Sequence, residues 1–291
     1  MKYFKTVAVL ILMSCAKESD EQSQSTHPVW SHDGTMIAFI NNAEGVAKNN
    51  AIDFEVFTMN ADGSNLRQHT FNDAFEADLA WSNDGSKVAF KSYRDENDEV
   101  YVLNLEDGVQ VNVSNHAAYD GSPQFVKGAL FFESERDTEI GELYRYDFMS
   151  NSIIRLTNND YRESGAVWSS DGKLIVFTSN MDGDDDLYLM KSNGDSLVKL
   201  TDNPLNDWYP QWSPDNESIL FTYGDWETDK WELRRLDLET LDETTILSGN
   251  DSGNASCHPL GTTIAYASSK LGAGHVFLFD LNTKEETQLT E

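Results

Sequence analysis

A repeat runs through almost the whole of this sequence. Aromatic residues, or a residue standing in for one, recur at intervals of 51, 44, 43, 44 and 45 residues. These positions are Trp30, Trp81, Phe125, Trp168, Trp212 and Cys257. Self-similarity at a period of 20 to 50 residues is typical of solenoids, propellers and other repeat folds. A chain of 291 residues can therefore form one domain of six similar units.

Three further columns keep the same register. The second column is Phe39, Phe90, Phe132, Phe177, Phe221 and Tyr266. The third is Phe57, Tyr101, Tyr144, Tyr188, Arg234 and Phe277. Each unit then closes on a pair that ends in Ser or Thr: His69-Thr70, Val113-Ser114, Leu156-Thr157, Leu200-Thr201, Leu247-Ser248 and Leu289-Thr290.

The fourth unit shows the predicted strands most clearly. Residues 165–168 and 173–179 form a hairpin around Ser169-Ser170-Asp171-Gly172, a turn in which Gly tolerates positive φ. Residues 186–191 and 196–201 supply a third and a fourth strand. Four antiparallel strands in each of six units predict an all-β, six-bladed β-propeller with almost no helix.

The units resemble the WD-repeat-like repeats of TolB-type propellers. The motif P-x-W-S-P-D-G-x-x-I-A-F appears as residues 28–39 and again as residues 210–221. The resemblance covers about residues 27–291 and implies a propeller. The first unit begins at its first strand and the last ends at its fourth, so we expect closure by blade packing without a swapped strand. The third unit has a shortened first turn at Phe125-Val126-Lys127-Gly128.

The first residues are interpreted as a targeting signal. Lys2 and Lys5 precede an apolar run, Val7–Met13, that is too short to span a bilayer. Leu12-Met13-Ser14-Cys15 resembles a bacterial lipobox, which implies a lipid on Cys15. We therefore expect a lipoprotein signal with its lipidated cysteine at 1–15, a flexible tether at 16–26 and the propeller at 27–291. Ala16 after the cysteine favours the outer membrane, with a periplasmic or an external face left open.

Charge narrows the class of partner. The chain has 50 acidic and 21 basic residues, for a formal net charge of −29. Such a surface repels phosphate, so nucleic acid is excluded, and contact with the membrane is expected through the lipid alone. A partner with a basic patch would be attracted. Only Cys257 remains beyond the signal, so no internal disulfide is expected, and we interpret it as a buried apolar residue.

One column of acids is the candidate binding site. Five residues before the aromatic of the first strand stand Glu76, Asp120, Glu163 and Asp207. In a propeller this position lies where one blade leads to the next, near a mouth of the central channel. The four carboxylates could hold a cation or a basic side chain of a partner. Alternatively, each could cap backbone amides between two blades.

Other patterns leave alternatives open. The acidic loop 182–186 lacks the spacing of an EF-hand, and no metal site is predicted from the six histidines. Trp208, Tyr209, Trp226 and Trp231 could stack on sugars or anchor a protein, or simply pack between blades. The extra loop of unit one, between residues 41 and 54, is a candidate for partner contact.

These observations favour a non-catalytic, outer-membrane-anchored monomer that docks an envelope protein or peptide on its channel face. No cofactor is expected, and no G-x-S-x-G motif points to a catalytic triad. The alternative is a polysaccharide lyase or glycan-binding propeller, since similar propellers occur in oligogalacturonate lyases. That alternative calls for a basic channel containing His, whereas the sequence places acids at the mouth.

Overall fold

A computed structural model describes residues 24–42, 54–225, 230–249, 255–270 and 274–290. Within these ranges all regular structure is β-strand, in six four-stranded antiparallel sheets. Each sheet uses four strands that are consecutive in the chain. The first strands of successive sheets pack against one another, which makes them the innermost strands of a propeller. The predicted all-β, six-bladed architecture is confirmed.

The first three blades have the following strands. Blade one contains β1 (Ser25–Trp30), β2 (Met36–Asn41), β3 (Glu55–Asn60) and β4 (Arg67–Gln68). Blade two contains β5 (Glu76–Trp81), β6 (Lys87–Ser92), β7 (Glu99–Asn104) and β8 (Gln110–Asn112). Blade three contains β9 (Asp120–Val126), β10 (Ala129–Ser134), β11 (Glu142–Asp147) and β12 (Ser152–Arg155).

The last three blades repeat this order. Blade four contains β13 (Ser164–Trp168), β14 (Leu174–Ser179), β15 (Asp186–Lys191) and β16 (Val198–Lys199). Blade five contains β17 (Asn206–Trp212), β18 (Ser218–Asp225), β19 (Lys230–Asp237) and β20 (Glu243–Ser248). Blade six contains β21 (Ser256–Cys257), β22 (Thr263–Ser268), β23 (His275–Asp280) and β24 (Glu286–Gln288). In blade four, the first three predicted strands agree to within one residue at each end.

The second aromatic column forms the centre of the core. Its six members, on the second strand of each blade, are all at most 3% exposed. Each ring except Phe221 stacks on the aromatic of the third column in its own blade, as Phe177 does on Tyr188 with centroids 5.9 Å apart. These strands are apolar on both faces because every blade is packed between two others.

In five blades the Ser or Thr that closes the unit has a common hydrogen bond. Its hydroxyl accepts from the backbone amide of the second residue of the third strand, at 2.8–2.9 Å. The acceptors are Thr70, Ser114, Thr157, Thr201 and Thr290. The fourth strand of these blades is only two to four residues long, so this bond ties its end to the blade. This hydrogen bond explains why the closing position of these units is occupied by Ser or Thr.

The circle closes between blades six and one without a swapped strand, as predicted. Trp30 of blade one donates its amide to Ser256 Oγ at 3.2 Å, and its indole packs edge-on against His258 with centroids 4.6 Å apart. His258 Nε2 also lies 3.3 Å from the carbonyl of Gly34. Cys257, expected to be buried, is half-buried, and burial followed by the nearby Asp215 raises its thiol pKa to about 11.

We call the end at which the first strands begin the mouth end, and the opposite end the turn end. At the turn end the first hairpin turns of the blades contact one another in sequence. Polar contacts join His32 with Asn83, Asn83 with Gly128, Ser170 with Asn216, and His258 with Gly34, while Gly172 lies next to Val126 and Gly261 next to Pro214. We call these turns the turn ring, and they hold all six blades at this end.

The predictions for the amino-terminal segment fall mostly on residues that the structure does not describe. The predicted signal, Cys15 and most of the tether lie outside the described residues. The part of the chain that is described contains no helix capable of crossing a membrane.

Candidate functional site

The four predicted carboxylates lie between blades, at or next to the start of the inner strands. Each occupies a different seam, by which we mean the contact between one blade and the next. All four residues, Glu76, Asp120, Glu163 and Asp207, are 0% exposed. A partner therefore could not touch these carboxylates without opening a seam.

A second column of acids shares these seams, and sequence reasoning missed it. Its members begin or nearly begin the third strands: Glu55, Glu99, Glu142 and Asp186. Each accepts a hydrogen bond from the backbone amide of the loop that leads to the next blade. Their fixed position, two residues before the third aromatic column, was the available signal. We call the eight residues of the two columns the seam carboxylates.

The seam between blades three and four shows the arrangement. The Asn159 side chain donates to Glu163 at 3.0 Å, while its backbone amide donates to Glu142 at 3.1 Å. Arg155 pairs with Glu142 at 2.7 Å. Asn159 thus bridges the two carboxylates, and a single cation serves the pair. Asn72 and Asn203 bridge their seams in the same way.

Among the described residues, each of the other three seams also has a cation paired with one of its carboxylates. Arg94 pairs with Glu76, Arg136 with Asp120 at 2.9 Å, and Lys199 with Asp186 at 2.8 Å. Ionising both acids of a seam would place two negative charges close together in a buried place, which costs free energy. The predicted column accepts from side chains, as Glu76 does from Thr70 and Asn72, whereas the backbone amides between blades donate to the second column.

Burial disfavours ionisation of the four predicted carboxylates. It raises the pKa of Asp120 to about 6 and those of Glu163 and Asp207 to about 7, against the hydrogen bonds that favour ionisation. The pKa of Glu76 is also raised by burial, opposed by Thr70, Asn72 and Arg94. The seams consequently take up protons near neutral pH.

The central channel contains a second candidate, at a β-bulge in the first strands. In five blades the residue three positions before the first-column aromatic of the first strand has a left-handed backbone, with φ between 49° and 60°. These residues are His27, Asp78, Ser122, Gly165 and Tyr209. The pairing between first and second strands shifts register at this point in each of the five. We call them the bulge residues.

Left-handed backbone is costly for a residue other than glycine, by about 1–3 kcal/mol. Four of the five bulge residues are not glycine, and bulges commonly redirect side chains near functional sites. Tyr209 keeps 39% of its surface exposed. Such strain repeated around one channel is typical of a binding surface held by its scaffold.

The channel also contains buried charge. Lys91 of blade two pairs with Asp78 at 3.4 Å and lies 5.4 Å from the centre of the Tyr119 ring. Burial opposes ionisation of Asp78, but Lys91 and His27 hold its pKa below the ordinary value. Glu133 of blade three, 6% exposed, has its pKa raised to about 7 by burial.

Bulge residues on opposite sides of the channel influence each other electrostatically. Burial and then Asp78 raise the pKa of Tyr209, although these residues belong to blades five and two. The arrangement can offer hydrogen bonds, an aromatic ring and a charge of either sign.

The aromatic cluster predicted in blade five lies partly at the mouth. Trp208 and Trp231 pack with ring centroids 5.6 Å apart, and the Trp208 indole donates to Asp185 at 2.7 Å. Arg162, about half exposed, lies 3.8 Å from Asp185. Trp226 and most of the extra loop of unit one are outside the described residues.

Within the described ranges no three metal-ligating side chains come together. His32 and His258 contact Asn83 and Trp30 rather than each other. In the acidic loop, Asp182 and Asp186 both lie within ion-pair distance of Lys199, at 3.3 Å and 2.8 Å.

The geometry defines a class: a six-bladed propeller with buried acidic seams and a strained, charged channel. Residues 46–291 match the family model described as the TolB beta propeller domain, PD40. Because this match covers most of the sequence, the chain belongs to that family.

Three known proteins illustrate the relationship. TolB from Acinetobacter baumannii superposes with a TM-score of 0.74 at 18% identity, over 89% of this chain and 64% of that one. An oligogalacturonate lyase from Vibrio parahaemolyticus superposes with a TM-score of 0.59 at 11% identity, over 94% and 80%. A curated protein of Bacillus subtilis, uncharacterized peptidase YuxL, is 36% identical over 169 residues, which are 57% of this chain and 23% of YuxL.

The extent of these matches limits what they transfer. The chain spans about a quarter of the length of YuxL and under two thirds of the A. baumannii TolB. At these identities the structural likenesses establish the fold, and the activity of a neighbour does not follow from it.

Proposed function

We propose that this protein is a non-catalytic binding propeller that docks an envelope protein or peptide in its central channel. The observation that carries the proposal is the set of bulge residues. Four strained non-glycine side chains around one channel are costly to the fold and are retained where a ligand is held. Membership of the TolB propeller family supports the same class.

The partner segment is expected to be cationic. The chain has a net charge of −29, and Asp78 and Glu133 lie in the channel with Lys91 paired to Asp78. A lysine, arginine or amino-terminal group entering the channel would add the missing positive charge. Tyr209 would supply a partly exposed aromatic contact of the kind common at interface centres.

We also propose that Glu76, Asp120, Glu163 and Asp207 affect partner binding through the mouth loops. Their carboxylates are buried, and Asn72, Asn159 and Asn203 connect three of them to those loops. They would therefore act by fixing loop positions. Lipidation at Cys15, anchoring in the outer membrane and a monomeric state complete the proposal and rest on the sequence alone.

A pull-down from solubilised envelope tests the channel. Residues 16–291 without lipid serve as bait, beside the variants Tyr209→Ala and Asp78→Asn. Glu106→Gln is the matched control, since it changes an exposed acid in the turn after β7, outside the channel and the seams. A protein retained by the parent and the control but lost by both channel variants supports the proposal. Equal retention by all four baits, with folding verified by circular dichroism, would overturn it.

The loop role of the seam carboxylates has its own test. A variant with Glu76→Gln, Asp120→Asn, Glu163→Gln and Asp207→Asn is compared with the parent for binding of the captured protein. Weaker binding by a folded variant supports the role, and unchanged binding contradicts it.

A glycan-binding or polysaccharide lyase function is the alternative. The Trp208–Trp231 pair beside Arg162 favours it, because aromatic faces stack on sugar rings and a guanidinium binds a uronate carboxylate. Titration with oligogalacturonate, followed by tryptophan fluorescence, tests binding. An assay for the unsaturated product at 235 nm, a wavelength set by the chemistry of the product, tests cleavage. A null result in both removes this alternative.

A further inference from the structure

The turn ring has one exceptional member. In five blades five residues separate the first and second strands, as in blade two between Trp81 and Lys87. In blade three only Lys127 and Gly128 separate them. Both have positive φ, 50° and 80°, which is the geometry of a two-residue hairpin turn. Blade three is therefore short at the turn end.

The short turn leaves a side chain uncovered. In the other five blades an amide that follows the third strand donates to the last residue of the first turn, as Leu105 does to Ser86 at 3.0 Å. Leu281 makes the same bond to Thr262 at 2.9 Å. In blade three the corresponding residue is Phe148, and the turn residue that would accept from it does not exist. Phe148 is 39% exposed, although it stacks parallel to Phe125 with centroids 6.0 Å apart.

A cavity of about 370 Å³ occupies the space beside the short turn. The two phenylalanine rings form its apolar floor, and the first turn of blade two forms its polar wall. Its lining residues are Ser82, Asn83, Asp84, Lys87, Phe125, Gly128 and Phe148. We call it the blade-three pocket. Its volume is within the range of small ligand sites and suits one large side chain.

Lys87 gives the pocket a charge preference. Its Nζ donates to Ser86 Oγ at 3.2 Å and forms no ion pair with any carboxylate of the described ranges. Asp84 lies on the same wall, where its Oδ1 accepts from Ser82, from the Ser86 hydroxyl and from the Ser86 amide. Lys87 is the cation of this wall that a ligand carboxylate would meet.

From this geometry we propose that the blade-three pocket binds an aromatic side chain of a protein partner, with a carboxylate adjacent to the ring contacting Lys87. Parallel or edge-on stacking on Phe125 and Phe148 would hold the ring. The carboxylate would complete a charge-assisted hydrogen bond. The pocket lies at the end opposite the mouth, so the inference does not depend on the function proposed for the channel.

A protein is favoured over a small metabolite because the apolar surface continues beyond the pocket. Met149, next to Phe148 on the same turn, is 98% exposed. A ligand confined to the cavity would leave this side chain in water, whereas a docked protein would cover it. Exposed methionine beside an aromatic pocket is a common feature of protein-binding surfaces.

Two small probes distinguish the contribution of the aromatic ring to binding from that of the carboxylate. N-acetylphenylalanine has a phenyl ring beside a carboxylate, and N-acetylphenylalanine amide has the same ring without the charge. Each is titrated to roughly 10 mM, a range suited to millimolar affinity, while the Gly128 amide and the Met149 methyl are followed by NMR. The acid is expected to bind about fivefold more tightly than the amide.

Three variants make the test decisive. Lys87→Gln should abolish the preference for the acid while leaving binding of the amide. Replacing Lys127-Gly128 by the five-residue turn of blade four, Ser-Ser-Asp-Gly-Lys, should fill the pocket and remove binding of both probes. Lys173→Gln, at the equivalent turn of blade four, is the matched control and should change neither.

The possible results divide clearly. Saturable shifts at Gly128 and Met149 that respond to the variants in this way support the proposal. Absence of shifts with the parent protein overturns it, as does a preference for the acid that survives Lys87→Gln. Binding that is unaffected by the turn replacement, in a variant that retains the parent circular dichroism spectrum, also overturns it because the probe would then lie elsewhere.

Discussion

Glu163→Gln should stabilise the propeller above neutral pH and have little effect in mild acid. Glu163 is 0% exposed and accepts a hydrogen bond from Asn159. It shares its seam with Glu142, whose cation Arg155 is already paired, and with Tyr161. Burial, reinforced by Glu142 and opposed by Thr157 and Asn159, raises the Glu163 pKa from 4.5 to about 7.

The direction in which stability changes with pH follows from the difference in proton binding between the folded and unfolded states. Between about pH 4.5 and 7 the folded protein keeps the Glu163 proton and the unfolded chain loses it. Stability therefore falls as pH rises through this window and levels off above it. A shift of this size corresponds to about 3 kcal/mol at pH 8. Because Gln must also place an NH₂ group in the seam, we expect a gain of about 1–2 kcal/mol.

Urea denaturation at pH 5, 6, 7 and 8 measures the effect. The parent should lose stability from pH 5 to 8, and Glu163→Gln should lose less, so that the two curves diverge with rising pH. Glu142→Gln is the matched control in the same seam. It leaves Arg155 without its 2.7 Å partner and should destabilise by about 2–3 kcal/mol at pH 8. If Glu163→Gln is destabilising at pH 8, or parallel to the parent at every pH, the reasoning is refuted.

Three further predictions concern the core, the closure and the channel. Phe177→Ala should lower the free energy of unfolding by about 3–5 kcal/mol in urea denaturation, whereas Phe71→Ala, 76% exposed, should change it by under about 0.5 kcal/mol. His258→Ala should increase amide hydrogen exchange in β1 with β14 unchanged, because it removes the contact with Trp30; equal exchange in both strands would contradict this. Tyr209→Gly should raise stability by about 1 kcal/mol in thermal unfolding while weakening partner capture, since it relieves a φ of 55°.

The sequence predicted what recurs with fixed spacing and residue type. The aromatic columns gave the blade count, and residues such as Phe90 and Phe177 are buried as core aromatics should be. The turn Ser169-Ser170-Asp171-Gly172 correctly placed the first hairpin of blade four. These features are visible because each depends on local chemistry repeated six times.

The channel site could not be predicted because its defining feature is a backbone conformation rather than a residue type. The bulge residues His27, Asp78, Ser122 and Tyr209 share a backbone conformation and no side-chain chemistry, so no column of like residues marks them. Gly165 alone is of a type that suggests left-handed backbone.

The second column of seam carboxylates failed to stand out for a different reason. Glu99 and Glu142 have the appearance of ordinary polar residues at the start of a strand. Their burial depends on the neighbouring blade, which is about 44 residues away in the chain. Local pattern reasoning cannot see such a contact, and it singled out Asp207 without showing that this side chain is enclosed.

The closing seam differs from the four acidic seams, since Ser25 and His275 occupy the two positions that carboxylates fill elsewhere. It is also the place where the chain enters the propeller, because β1 follows directly from the preceding amino-terminal segment. Any tension on that segment would pull on β1 and load this junction before the other five. The ring would then yield at a defined blade boundary, where indole and imidazole packing bear the force, and all six blades would stay joined through the other five junctions as an open chain.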